Sequence, residues 1–137
     1  MVRPGGLVGF TFLGSPRQMG LLPYFATLAE LSPADHIDAT VSQGDTGRPG
    51  AAGQMLADAG LEFAGRGRAQ VVSELPDLDL AVRALAAAGP SWPALHRVGH
   101  DRFAVALRDA LRPLHVEGLG VRIVSEFGWI IGKEPSA

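Results

Sequence analysis

Two histidines, His96 and His100, stand four residues apart, the spacing at which a helix presents two ligands to one metal ion. Gly99 lies between them and no third ligand is near, so a surface or substrate-contact role is the better reading. Asp35-His36-Ile37-Asp38 holds ligand-type residues too, but in a polar stretch such a run reads as a solvated turn. No metal site is therefore nominated. Gly65-x-Gly67 is a fragment of a phosphate-loop pattern. It lacks the third glycine and opens no helix after a strand, so it is rejected as one. Arg66 and Arg68 beside it have the chemistry to meet an anion. Serine, histidine and aspartate never fall into a nucleophile motif, and no catalytic residue is nominated. The better lead is aromatic. Phe10 and Phe12 close an apolar run, and Tyr24, Phe25, Trp92 and Phe103 fall in segments that should gather at its carboxyl end, where open α/β sheets bind ligands. Phe10 and Phe103 read as core. Tyr24 and Trp92 carry polar handles beside prolines. With Phe12 and the polar Ser15, Gln18 and His96, they form the expected substrate-binding set for a small molecule in a largely apolar pocket.

Elements that would position these residues come from length and patterning. The chain of 137 residues predicts one domain, 1–137, with a real core. A formal net charge of −2 gives no basic field for nucleic acid. There is no cysteine, which excludes disulfides and thiolate chemistry and fits a cytoplasmic location. No apolar run reaches the roughly 18 residues of a membrane span, and no signal-peptide layout opens the chain. Hydrophobic residues make up 47% of the chain, enough to suggest apolar surface that needs a partner.

Arg3-Pro4-Gly5-Gly6 is a turn running into a strand at residues 7–13, apolar on both faces as a strand covered on both sides should be. Ser15 is placed to cap a helix with Pro16 in its first position. That helix, about 17–31, would bury Leu21, Leu22, Phe25, Leu28 and Ala29, with Pro23 kinking or splitting it. Residues 32–50 read as a loop. Pro49 and Gly60 bracket a second helix that turns Met55, Leu56 and Ala59 to a sheet. Residues 61–72 form a strand whose Gly65–Arg68 centre implies a bulge or an edge. Asp77 and Asp79 open a helix ending at Gly89, and residues 89–93 read as a turn. Asp101 starts another helix, with Phe103, Leu107, Ala110, Leu111 and Leu114 at helical spacing. Residues 119–132 are the longest strand candidate, with Val121, Ile123, Phe127, Trp129 and Ile131 on one face and Val124 and Ile130 on the other.

The Arg3-Pro4-Gly5-Gly6 turn and its apolar strand resemble the turn before the fifth strand of class I S-adenosylmethionine-dependent methyltransferases. Met55-Leu56-Ala57-Asp58-Ala59-Gly60-Leu61 resembles the helix before the sixth strand of that family. Phe127-Gly128-Trp129-Ile130-Ile131-Gly132-Lys133-Glu134-Pro135 resembles the last strand and its finish. The match spans nearly all of this chain and the C-terminal half of the family. It implies an α/β fold with a partial Rossmann-like sheet in the local order five, seven, six. The sheet would be three-stranded and mixed, with residues 7–13 and 61–72 parallel and 119–132 antiparallel between them. Helices would lie on the faces of the sheet, with a helical insertion on the substrate side. The family's S-adenosylmethionine site rests mainly on an N-terminal Gly-rich loop and an acidic residue that have no counterpart here. No cofactor-binding residue is nominated, and this chain is not expected to bind the cofactor tightly.

The resulting expectation is the substrate-side portion of a small-molecule methyltransferase, inactive as this chain alone. The chain would then begin inside a fold, because three residues before Pro4 cannot form the helix that such a turn normally closes. The alternative is a non-catalytic small-molecule-binding or protein-interaction module of the same fold. Residues 7–13 contain no lysine, proline or charge to blunt a strand edge, so a homo-oligomer through that edge is expected.

Overall fold

A computed structural model describes residues 2–34 and 46–135. Asp35, His36, Ile37 and Asp38 lie outside the described residues. The first turn closes with a 2.8 Å bond from the Gly6 N–H to the Arg3 carbonyl, with Gly5 at φ 72°. It leads into β1 (Leu7–Leu13). Then follow α1 (Leu22–Leu31), α2 (Ala51–Asp58), β2 (Glu62–Leu75), α3 (Leu78–Ala86), α4 (Trp92–Val98), α5 (His100–Leu111), β3 (His115–Val116) and β4 (Gly120–Lys133). Short 3-10 turns occupy Pro16–Gln18, Gly89–Ser91 and Arg112–Leu114. The α/β class expected from the sequence is the class observed. None of the described helices is long and apolar enough to cross a membrane.

The sheet runs β1-β4-β2, with β3 also paired to β4. β1 and β4 are antiparallel, Leu7 opposite Lys133 and Leu13 opposite Phe127. Two ion pairs trace the other side. Arg68 meets Glu126 at 3.3 Å and Glu74 meets Arg122 at 3.4 Å, so numbers rise along β2 as they fall along β4. Every neighbouring pair is thus antiparallel, and β1 and β2 run in the same direction with the last strand between them. The expected order and directions hold. The sheet is antiparallel by pairing and not mixed, because the two parallel strands never touch. Both β1 and β2 are edges among the described residues, and the alternating burial of β1 corrects the reading of residues 7–13 as covered on both sides. Val8, Phe10 and Phe12 are half-buried, whereas Leu7, Gly9 and Thr11 are exposed.

The chain divides into two compact units. One is drawn from the described residues of Met1–Met19, Ser42–Val71 and Glu126–Ala137. Its core is small: Ala52, Leu56 and Ile130, with Phe10, Phe12 and Leu61 packed against them. α2 ends in a Schellman motif, with the Leu61 N–H bonded to the Leu56 carbonyl and the Gly60 N–H to that of Ala57, both at 2.9 Å. Gly60 at φ 73° is the left-handed residue this requires. The sequence located that stop correctly. The start is later than Pro49, because Gly50 takes φ 86° as the cap. Met55 and Ala59 are exposed, contrary to expectation, since Ala52 and Leu56 make the buried stripe. On β2 the edge reading of Gly65–Arg68 is the right one. A Cβ on Gly67 would lie 2.4 Å from the Trp129 ring, so this glycine admits the indole against bare backbone.

The other unit is drawn from the described residues of Gly20–Val41 and Val72–Ser125. Its core gathers Tyr24, Leu28 and Leu31 of α1, Ala81, Val82 and Ala86 of α3, Ala94 of α4, Phe103, Leu107 and Leu111 of α5, and Val121 and Ile123 of β4. Phe103, Leu107 and Leu111 recur every four residues and form one fully buried stripe, as their spacing predicted. The expected helix is in two pieces, but the break falls between Gln18 and Leu22, and Pro23 lies within the first turn of α1, where a missing N–H costs nothing. Its buried stripe is Tyr24, Thr27, Leu28 and Leu31. Leu22 and Ala29 are exposed and only Leu28 is common to both stripes, so the expected phase was off by about a third of a turn. Asp77 caps α3 by accepting from the Leu80 N–H at 2.7 Å. α3 stops at Ala86, short of the expected Gly89, and α4 occupies residues read as the end of a turn.

β4 passes through both units, and its buried set changes on the way. Val121, Ile123 and Ser125 are buried in one, and Gly128, Ile130 and Gly132 in the other. Phe127, Trp129 and Ile131, expected to continue the first face, are only half-buried.

Candidate functional site

Three of the six expected site residues, Phe12, Ser15 and Gln18, belong to the β1 unit. Phe12 faces Gly128 across the ladder, and a Cβ there would meet the Phe12 ring at 2.2 Å. The ring also sits 6.2 Å from that of Phe10, tilted by 55°. Phe12 is therefore a packing residue of the smaller core. Ser15 caps no α-helix. Its carbonyl accepts from the Gln18 N–H at 2.9 Å, and its hydroxyl donates to Gln18 Oε1 at 3.0 Å. The structure brings Ser15 and Gln18 together as an exposed polar pair whose hydrogen bond closes the Pro16–Gln18 turn.

Tyr24, Trp92 and His96 all belong to the helical unit. Tyr24 is only 3% exposed. Its hydroxyl lies 2.9 Å from Ser91 Oγ, and Ser91 donates its own hydrogen to the Leu85 carbonyl at 2.7 Å. The order of donors follows: Tyr24 to Ser91, Ser91 to Leu85. Burial raises the Tyr24 pKa above its ordinary value of 10.0, with the Ser91 hydrogen bond opposing that shift. A phenol so placed is a core residue with a committed proton, and it presents no acid or base to a ligand.

Trp92 is the opposite case. It is 67% exposed at the first turn of α4. One helical turn on, His96 lies parallel to it, ring centroids 5.5 Å apart and planes 13° apart. Pro93 permits this helix because a proline is tolerated in the first turn. Gly99, at φ 81°, then breaks the chain between α4 and α5. His96 and His100 therefore stand on different helices, and the one-face argument for a shared metal does not apply. No group of three or more metal-ligand side chains occurs among the described residues. The stacked Trp92–His96 pair offers a flat aromatic face with imidazole nitrogens at its edge. Such a face suits a planar or cationic small molecule.

A feature the sequence reading missed lies in the β1 unit. Gly9, Phe10, Thr11, Trp129, Ile130 and Ile131 line an open depression on the sheet. Gly9 pairs with Ile131 and Thr11 with Trp129. The signal was present as Gly9 on β1, opposite Ile131, and as Gly65 and Gly67 on β2, small residues beside the Trp129 ring on β4.

Compared with known proteins, the chain matches no family model and no curated protein.

Proposed function

We propose that the chain is the substrate-side portion of an S-adenosylmethionine-dependent methyltransferase acting on a small molecule. The observation that carries this reading is the strand order β1-β4-β2, with the last strand reversed between two that run the same way. That is the order implied by the resemblance of Arg3-Pro4-Gly5-Gly6, of 55–61 and of 127–135. The turn, the Gly60 stop and β4 each fall on the residues that carry the resemblance. Trp92 and His96 supply an exposed surface for an acceptor, and in this reaction class positioning donor and acceptor in line is much of the catalysis. S-adenosylmethionine would be held mainly by a Gly-rich strand-loop-helix that these 137 residues do not contain. Contacts from one side of a cleft leave most of the association cost uncompensated.

The test joins genetics to calorimetry. The in-frame coding sequence upstream is read, the extended chain is expressed, and S-adenosylmethionine is titrated into both forms. Micromolar binding by the extended chain, and none by this one, is the expected result. An upstream frame without the Gly-rich motif, or an extended chain that does not bind, overturns the methyltransferase reading. The non-catalytic binding or interaction module would then stand, a reading that the missing cofactor motif itself favours.

A further inference from the structure

Among the described residues β1 has one open edge, and its hydrogen-bonding pattern specifies what fits there. The Gly14 N–H donates to the Glu126 carbonyl at 3.0 Å, and the Glu134 N–H donates to the Gly6 carbonyl at 2.9 Å. These bonds frame the β1–β4 ladder and lie in its register, in which Val8 faces Gly132 and Phe12 faces Gly128. In an antiparallel pair, bonded and non-bonded positions alternate. Even-numbered residues of β1 therefore direct their N–H and C=O groups to β4. Leu7, Gly9, Thr11 and Leu13 direct theirs outward, and among the described residues no strand receives them. Residues 7–13 contain no charge, lysine or proline, the devices that usually keep an edge from pairing.

We propose that this edge pairs with the same edge of a second copy, antiparallel about a two-fold axis at Phe10. In that register Leu7 bonds with the partner's Leu13 and Gly9 with the partner's Thr11. All four outward residues then fall in bonded pairs, and every outward N–H and C=O of both copies is satisfied. Sliding by two residues in either direction leaves one outward residue of each copy unpaired, so this register is the best satisfied. Side chains agree with it. Leu7, 65% exposed in the single chain, is covered by the partner's Leu13. Gly9 makes room for the partner's Thr11, and the two Phe10 rings meet at the axis, where non-bonded pairs approach most closely. Like charges do not oppose one another within the paired segment. A second copy fits better than an arbitrary extended peptide because the segment is complementary to itself. This proposal does not depend on the function proposed above.

Light scattering behind a sizing column, at several concentrations, should give twice the 14.3 kDa chain mass. Thr11→Pro removes an outward N–H and leaves the β4 ladder intact, and it should return the mass to 14.3 kDa. Thr11→Lys, on an exposed position, should do the same if the proline variant fails to fold. The chain has no cysteine, so single-cysteine variants report the register directly. Phe10→Cys alone should form a covalent dimer on mild oxidation. Gly9→Cys alone should not, but mixed with Thr11→Cys it should. A mass of 14.3 kDa for the parent at every concentration, a dimer that persists in both Thr11 variants, or self-linking by Gly9→Cys would each overturn the proposal.

Discussion

The Tyr24 hydroxyl donates to Ser91, and Ser91 has already given its hydrogen to Leu85. Tyr24→Phe should therefore leave one buried acceptor unmatched and cost about 1 kcal/mol in urea unfolding. The pH dependence has a definite sign. A folded-state pKa raised above the ordinary value means that the folded chain holds the proton more tightly. The associated stability is complete below 10.0 and is lost as pH rises through the raised value. Tyr24 is the only tyrosine, so the ultraviolet absorbance of tyrosinate reads it cleanly. The folded protein should titrate above 10.0, and Tyr24→Phe should show a flatter alkaline decline in stability. Ser125 is the reverse case, since its buried Oγ has no partner among the described residues. Ser125→Ala should raise stability by about 1 kcal/mol, because an unsatisfied buried hydroxyl costs more than it contributes. Unfolding at lower urea than the parent would mean that the hydroxyl has a partner. Residue types alone could not separate Tyr24 from Trp92. Both stand beside a proline and carry a polar handle, yet one is core and the other surface. What separates them is Ser91, 67 positions from Tyr24 in the chain, and local spacing cannot encode that distance.

Helix ends were legible wherever a backbone group and its satisfier are neighbours in sequence. Gly60 and Asp77 are of that kind, and both act as their positions suggest. Asp77→Ala should cost about 1 kcal/mol, seen as an earlier thermal transition. Trp92-Pro93 was read as a turn because proline breaks helices, and α4 was lost from the expected order for that reason. In the first turn of a helix the same residue breaks nothing. The start of β4 is a different sort of constraint. Gly120 has φ 85°, and a Cβ there would lie 2.1 Å from the Leu75 carbonyl oxygen. Gly120→Ala faces both a left-handed backbone and a collision with main chain that cannot swing away. It should cost more than about 2 kcal/mol, against well under 1 kcal/mol for Ala at an unconstrained strand position. Strand order and strand directions were inferred from a resemblance, because periodicity alone gives no more than an α/β domain. The extra helix and the short β3 had no comparable signal.

At the scale of the whole molecule the two cores are unequal, one of twelve buried residues and one of three among the described residues. Hydrogen exchange should find its slowest amides in α5, around Phe103, Leu107 and Leu111, and faster ones in α2. Phe103→Ala should cost about 3–5 kcal/mol, a large fraction of the stability of a domain this size.

β4 serves both cores, burying odd-numbered positions from Val121 to Ser125 and even-numbered positions from Gly128. In a saturation mutagenesis scan this strand should behave as a wave of period two that skips a beat. Sensitivity to polar replacement should peak at Val121 and Ile123, fall at Arg122 and Val124, and then peak at Ile130, with the crests shifted by one residue after Glu126. A homologue search that assumes a single alternating pattern along such a strand would score one half against the other. A single-residue deletion between Ser125 and Gly128 would bring the two halves into step, at the cost of turning one core's side chains outward.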